Sequence, residues 1–276
     1  SISFEFFPPK NETMEKNLWE CVKSLEPLKP QFASVTYGAG GSTRERTHAT
    51  VAKMKNETTI EPTAHLTCIK ASKDEIKQIA NNYWEIGVKH IVALRGDPPE
   101  GIESYIPQDD GYKYSSELIK GLKEVADFEI SVAAFPETHP EAENSDKDLD
   151  YLIEKIDAGA DRAITQYFLD PHMFMNFLEK TEKRGIKIPI VPGIITISNF
   201  AQFMNFSKKC HATVPKWIQD LLSDMDEDPK SRDIVASNIT FEICRILKQE
   251  GIDHFHFYTL NRPQQTKALC RLLGVK

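Results

Sequence analysis

Chemistry-bearing side chains recur where apolar runs end. Ile2 to Phe7 is apolar except for Ser3 and Glu5 and is stopped by Pro8-Pro9. Phe32 to Tyr37 carries Thr36 and Tyr37 into Gly38-Ala39-Gly40-Gly41, and Pro62 to Cys68 holds His65 and Thr67. Lys89 to Leu94 breaks into Arg95-Gly96-Asp97-Pro98-Pro99. Glu129 to Phe135 precedes His139, Arg162 to Phe168 holds Gln166, and His254 to Leu260 leads into Arg262. Carboxylates, imidazoles and guanidinium groups gathered this way are the equipment of acid–base and electrostatic catalysis. Taken singly, His65 reads equally as a hydrogen-bonded core histidine, Gln166 as a satisfied interior amide and Gly38 to Gly41 as a turn. Glu5 differs, because a carboxylate inside a buried strand is costly unless it is paired or functional. Burial is expected to raise its pKa and suit it to donate a proton. Glu5, His65, Asp97 and His139 also allow a metal reading, but no H-x-H or H-E-x-x-H spacing supports one, and no metal is expected.

Elements must bring these residues together. Continuous apolar runs read as strands buried on both faces, as in a parallel sheet, and functional sites of such sheets lie at the strands' carboxyl ends. Helical spacing follows each run. Capping boxes at Ser42 with Glu45 and Ser72 with Glu75 open two helices, Ser145 with Asp148 opens another, and Asp170-Pro171 starts a fourth. A seventh strand over Ile188 to Ile195 and an eighth over His254 to Leu260 bracket an additional helical region, Pro215 to Gly251. Eight strand-then-helix units without an internal break predict an α/β fold, a single (β/α)8 TIM barrel forming one catalytic domain over residues 1–276. A doubly wound open sheet is the alternative, but G-x-G-x-x-G is missing after the first strand. The loop from Pro98 to Gly111 is long enough to read as functional.

Composition narrows the class. The 276 residues are 40% hydrophobic and 27% charged, with a net charge of −7, which argues against a general binder of nucleic acid or anionic membranes. Cys21, Cys68, Cys210, Cys244 and Cys270 are scattered without a C-x-x-C pair, which fits a reducing cytoplasm. No stretch reaches the apolar length of a membrane span, and the first residues lack the pattern of a signal peptide. The missing initiator Met hints at a few absent leading residues.

Read together, Phe4-Glu5-Phe6-Phe7-Pro8-Pro9-Lys10, Val35-Thr36-Tyr37-Gly38-Ala39, Ala64-His65-Leu66-Thr67-Cys68, Ala93-Leu94-Arg95-Gly96-Asp97, His139-Pro140-Glu141-Ala142, Arg162-Ala163-Ile164-Thr165-Gln166-Tyr167-Phe168 and Phe257-Tyr258-Thr259-Leu260-Asn261-Arg262 resemble the 5,10-methylenetetrahydrofolate reductase family. The resemblance runs end to end and is to the short bacterial form, a catalytic barrel without the regulatory domain of longer members. It implies a flavoprotein oxidoreductase with non-covalent FAD, NADH or NADPH as hydride donor, methylenetetrahydrofolate as substrate and ping-pong kinetics. By motif position it implies that Thr36, Tyr37, Ala39, His65, Arg95, Gly96 and Asp97 hold the isoalloxazine and ribityl part of FAD. Ser115, Phe135, His139, Ala142, Asp148, Tyr151 and Lys155 would hold the rest, the last three sharing a helix face by their spacing. Asp97, Gln166, Gln202, Phe206, Tyr258 and Arg262 would meet folate or nicotinamide. Phe135 stands where relatives often have tyrosine, and Glu154 where a basic residue can occur. A homo-oligomer, tetrameric by resemblance, is implied. Glu5 would be the general acid for opening the methylene bridge, and Asp97 an electrostatic stabiliser of the resulting cation that also tunes the flavin. A proline dehydrogenase-like flavin barrel and a non-catalytic flavin- or folate-binding protein are the alternatives.

Overall fold

The computed structural model describes residues 1–38, 44–96 and 108–276, and within them strand and helix alternate as the apolar periodicity requires. The strands are β1 (Ile2–Phe6), β2 (Ala33–Val35), β3 (Pro62–Thr67), β4 (His90–Leu94), β5 (Glu129–Ala134), β6 (Arg162–Thr165), β7 (Ile190–Val191), β8 (Gly193–Ile195) and β9 (Phe255–Tyr258). All pair in parallel, in the order β7-β6-β5-β4-β3-β2-β1-β9-β8.

The two ends of that order are joined by Pro192 alone. The expected single seventh strand over 188–195 is divided there, because proline has no N–H to give to a ladder. Ile190–Val191 pairs with β6, and Gly193–Ile195 pairs with β9. The Pro192 carbonyl accepts from His256 N at 3.0 Å. One stave serves its two neighbours with successive halves, which is how staggered, tilted strands close on themselves. The result is the eight-stave α/β barrel that the sequence predicts.

Around the barrel run α1 (Glu12–Leu25), α2 (Arg44–Glu57), α3 (Lys73–Glu85), α4 (Ser115–Val125), α5 (Ser145–Asp157), α6 (Pro171–Lys183), α7 (Phe200–Lys209), α8 (Lys216–Leu222), α9 (Pro229–Gln249) and α10 (Pro263–Leu272). The expected extra helical region between the seventh and eighth staves is α8 with α9. Ser72 and Glu75 form the expected reciprocal capping box, and Asp170 caps α6 ahead of Pro171. The cap of α5 is Asn144 rather than Ser145: Asn144 is extended, and its side chain accepts from Lys147 N at 3.0 Å. That leaves Asp148 free of a capping role, and its carboxylate goes instead to the site described below. The Ser42 cap lies outside the described residues, as does most of the loop between Pro98 and Gly111. No helix among the described residues is long and apolar enough to cross a membrane.

The apolar core fills the layer between strands and helices, where Phe4, Phe6, Leu18, Leu66, Phe128, Phe174 and Leu247 are buried. The barrel interior is built differently. Ser3, Ser34, Thr63, His90, Ser131 and His256 are all buried, and each takes part in a hydrogen bond, His256 through Nδ1. The His90 ring lies between Thr63 Oγ1 (2.9 Å from Nδ1) and Ser131 Oγ (2.8 Å from Nε2). Burial holds its pKa well below the usual histidine value, so it sits there as a neutral bridge. A polar axis inside an apolar shell carries the site.

Candidate active site

Glu5 lies on the interior face of β1, in register with Ser34 on one side and Tyr258 on the other. Its Oε2 is 3.2 Å from His65 Nε2 and 3.8 Å from His256 Nε2, the second distance being an electrostatic contact rather than a hydrogen bond. Ser34 Oγ donates to the same oxygen at 3.4 Å. His256 is in turn held by Ser3, whose Oγ lies 2.8 Å from His256 Nδ1 and 3.0 Å from His254 Nε2. Burial acts to raise the Glu5 pKa, as expected from sequence. The imidazoles of His65 and His256 outweigh it and draw the carboxyl down to about 2. The expectation of a raised pKa is therefore wrong for the free site, because the sequence does not reveal that two histidines converge on one carboxylate. His256 itself is lowered by burial, against the pull of Glu5.

A depressed carboxylate has a signature in stability. The folded protein favours the ionised Glu5, so this contribution is complete above the ordinary value of 4.5 and is lost as pH falls toward about 2. Thermal unfolding over a pH series should show the melting-temperature difference between wild type and Glu5→Gln narrowing through that window. A difference that stays constant would contradict the ionised pairing.

The residues assigned to a cofactor by motif position form a second, connected group. The Arg95 guanidinium meets the Glu141 carboxylate in a bidentate pair of 2.5 and 2.8 Å. Glu141 N donates to His139 Nδ1 at 3.1 Å, His139 N donates to Asp148 Oδ2 at 2.9 Å, and Ala142 N donates to the His139 carbonyl. Phe135 sets its ring edgewise to His139 at 4.6 Å. Lys155 Nζ donates to the Ala133 carbonyl at 2.7 Å, and burial lowers its pKa to about 8. Burial raises that of Asp148. Arg95, Phe135, His139, Ala142, Asp148 and Lys155 are thus brought together, whereas Tyr151 is exposed on α5 and Ser115 half-buried in the first turn of α4. A cleft of about 180 Å³ opens beside this group, lined by Phe135, Thr138, Asp148, Met173 and Lys180 among others. Tyr37 accepts from Arg44 Nε at 2.8 Å, and Thr36 anchors β2 to β1 through its N–H to the Phe6 carbonyl. Gly96, at φ +93°, is pressed against β3; a Cβ there would lie 2.7 Å from Ile69 Cγ2 and 2.9 Å from Thr67 Cβ. Thr67 Oγ1 is buried without a hydrogen-bond partner among the described residues. Ala39 and Asp97 lie outside the described residues.

The residues assigned to folate or nicotinamide form an aromatic wall. Tyr167 stacks on Phe206 at 5.9 Å and 12°, and meets Tyr258 edgewise at 6.4 Å. Tyr258 OH donates to the Thr165 carbonyl at 2.7 Å, which fixes its ring beside Glu5. Gln166 accepts from Tyr167 N, Arg262 donates to Ser198 Oγ, and Gln202 is exposed one turn before Phe206 on α7. Asn261, at φ +56°, ties the end of β9 to that of β1 by accepting from Phe7 N and donating to the Phe7 carbonyl, both at 2.9 Å. Sequence reading missed Ser3, His256, Glu141 and Tyr167. The alternation His254-Phe255-His256-Phe257-Tyr258 was a signal for His256, whereas Glu141 pairs with a residue 46 positions away, which no local pattern reveals. Among the described residues no group of three or more His, Cys, Asp or Glu is placed to hold a metal ion.

An acid–imidazole pair at the carboxyl mouth of a parallel barrel, flanked by an aromatic wall and an ion-paired loop cluster, defines an enzyme of the (β/α)8-barrel class. The methylenetetrahydrofolate reductase family model matches residues 1–274. The chain is 46% identical over 276 residues to the 5,10-methylenetetrahydrofolate reductase of Escherichia coli (strain K12), covering 100% of this chain and 91% of that one. The corresponding protein of Pectobacterium carotovorum subsp. carotovorum is 46% identical over 278 residues with the same coverage. The Arabidopsis thaliana methylenetetrahydrofolate reductase (NADH) 1 is 33% identical over 286 residues, which span 100% of this chain but 48% of the plant protein. The chain belongs to the methylenetetrahydrofolate reductase family. A Clostridium thermocellum protein described as binding two copies of 5-methyl-5,6,7,8-tetrahydrofolic acid shares the fold at a TM-score of 0.66 and 16% identity, covering 98% of this chain and 92% of that one.

Proposed function

We propose that this chain reduces 5,10-methylenetetrahydrofolate to 5-methyltetrahydrofolate, using non-covalent FAD and NADH or NADPH in a ping-pong cycle. The observation that carries the reading is Glu5, a buried carboxylate in contact with an imidazole at the mouth of a family barrel. Two features fit a bound flavin: the buried hydroxyl of Thr67, unpaired among the described residues, and the half-enclosed cleft beside Phe135 and Asp148. Thr36, Tyr37, Ala39, His65, Arg95, Gly96 and Asp97 would hold its ring and ribityl chain, and Ser115, Phe135, His139, Ala142, Asp148, Tyr151 and Lys155 the remainder. When bound, FAD supplies a two-electron carrier that takes a hydride from the nicotinamide and returns it to the folate.

The protein's own part is proton handling and charge. Opening the methylene bridge requires a proton on the departing folate nitrogen; the C–N electron pair leaves with that nitrogen, and the carbon remains as an iminium cation on the other. Glu5 and His65 face one another across 3.2 Å. In the free site Glu5 is held as the carboxylate, its pKa drawn to about 2 against burial by the imidazoles of His65 and His256. A substrate that covers the mouth removes water, which favours the neutral carboxyl, with a proton on Glu5 and in place for delivery. Asp97 would stabilise the iminium cation, and the Tyr167, Phe206 and Tyr258 rings would stack on the flat substrate, with Gln166, Gln202 and Arg262 as its polar contacts.

Anaerobic mixing of the purified protein with NADH, then methylenetetrahydrofolate, tests the reading. The flavin absorbance should bleach in the first step and return in the second. A colourless protein that takes up no FAD, or a reduced flavin indifferent to folate, would exclude it; reoxidation by another substrate alone would favour a different flavin barrel.

A further inference from the structure

Thr67 ends β3 on the same face as His65, because alternate residues of a strand share a face. The contact of His65 with Glu5 identifies that face as the barrel interior. Other interior hydroxyls there are taken. Ser3 is bound by His254 and His256, Thr63 and Ser131 by His90, Ser34 by the Phe4 carbonyl and Glu5, and Thr165 by Gly193 N. Thr67 is only 4% exposed, yet its Oγ1 makes no hydrogen bond among the described residues. An unpaired buried hydroxyl is destabilising, and valine would fill the same volume without that penalty.

The neighbourhood says what the hydroxyl is kept for. Gly96, which follows Arg95 at the end of β4, is in direct contact with the Thr67 side chain and has a backbone conformation suited to glycine. Peptide backbone with no side chain and a free hydroxyl therefore stand side by side at the carboxyl mouth, a surface suited to the edge of a flat, polar ring.

We infer that Thr67 is a cofactor-binding residue whose hydroxyl is completed by a hydrogen bond to a polar edge atom of the isoalloxazine ring. The inference rests on the flavin reading above and adds a group that the motif positions do not include. Isoalloxazine offers two carbonyl oxygens, ring nitrogens and one imide N–H on its polar edge, and a threonine hydroxyl serves either as donor or as acceptor.

The test compares apoprotein and FAD-loaded protein for wild type, Thr67→Val and Thr67→Ser. Without FAD, Thr67→Val should melt at the wild-type temperature or above it, since no partner is lost. On titration with FAD, followed by quenching of flavin fluorescence, its affinity should fall by roughly 3–10-fold, the worth of one hydrogen bond. Thr67→Ser keeps the hydroxyl and should bind within about twofold of wild type. A valine variant that binds FAD like wild type overturns the inference, and so does one whose apoprotein melts well below wild type or does not fold, because the hydroxyl would then be paired already. Wild-type protein that takes up no FAD removes the flavin reading and this inference together. Normal wild-type binding with an unaltered valine variant removes this inference alone.

Discussion

Glu5→Gln is expected to slow the folate half-reaction sharply while sparing the half-reaction with NADH. Glutamine preserves the shape of the side chain and can accept from His65 Nε2, now 3.2 Å from Glu5, but it cannot deliver a proton. In the proposed cycle cleavage of the methylene bridge depends on that proton, so the rate of flavin reoxidation by methylenetetrahydrofolate should drop by ~10²–10⁴-fold, the range for loss of a general acid. Transfer from NADH involves no departing amine, and its rate should stay within a small factor of wild type. Anaerobic stopped-flow measurement of each half-reaction over a pH series separates the two. Equal slowing of both, or of neither, would make Glu5 a binding or structural residue and move the acid elsewhere.

The depressed pKa of Glu5 sharpens this expectation. A carboxyl drawn to about 2 by two imidazoles is ionised at neutral pH, and an ionised group donates nothing. Glu5 must therefore take up its proton once substrate covers the site and removes water, which favours the neutral carboxyl. Removing either partner should alter the pH profile of the folate step, with His65 in direct hydrogen-bonding range and His256 acting at 3.8 Å.

How far the sequence leads depends on the range over which each feature is determined. Strands β1 to β6 are legible because their apolar runs are continuous and their limits are marked by proline, glycine or charge, and eight units predict closure of the barrel. Placement of Glu5, His65, Arg95, Gln166 and Tyr258 follows, because side chains at strand ends of one barrel must converge. The electrostatics of the site are not legible in the same way. They turn on His256 approaching Glu5 from a strand some 250 residues distant in the chain, and on Glu141 reaching Arg95 across two loops. Local pattern also misplaces the α5 cap, since Asn144 and Ser145 are both good caps, and only the extended backbone of Asn144 decides between them. The division of the seventh stave at Pro192 was written in the sequence as a proline inside an apolar run, a signal that argues against an uninterrupted strand.

Gly193, the residue after that proline, should be the least substitutable position in the barrel seam. Its amide donates to Thr165 Oγ1 at 3.0 Å, a side-chain bond that carries the seam from β8 back to β6. A methyl group added at Gly193 would lie 2.1 Å from the Thr165 carbonyl oxygen, 2.6 Å from Tyr258 Cε2 and 2.8 Å from Tyr258 OH. The first of these is backbone in a paired strand and cannot swing aside, so β8 and β6 must separate or the Tyr258 ring must leave. Either movement breaks the bond from Tyr258 OH to the same carbonyl, at 2.7 Å, and takes the ring from its place beside Glu5. Gly193→Ala should therefore cost ~3 kcal/mol, the upper end for overpacking, and lower the melting temperature by roughly 6–12 °C. Tyr258→Phe removes only the hydroxyl's bond and should cost about 1 kcal/mol. Any Gly193→Ala protein that folds should lose folate turnover more than turnover with NADH and an artificial acceptor, because the Tyr258 ring packs beside the acid. An alanine variant as stable as wild type to within ~0.5 kcal/mol, the range of ordinary surface substitutions, would mean that the seam is not closed by this contact.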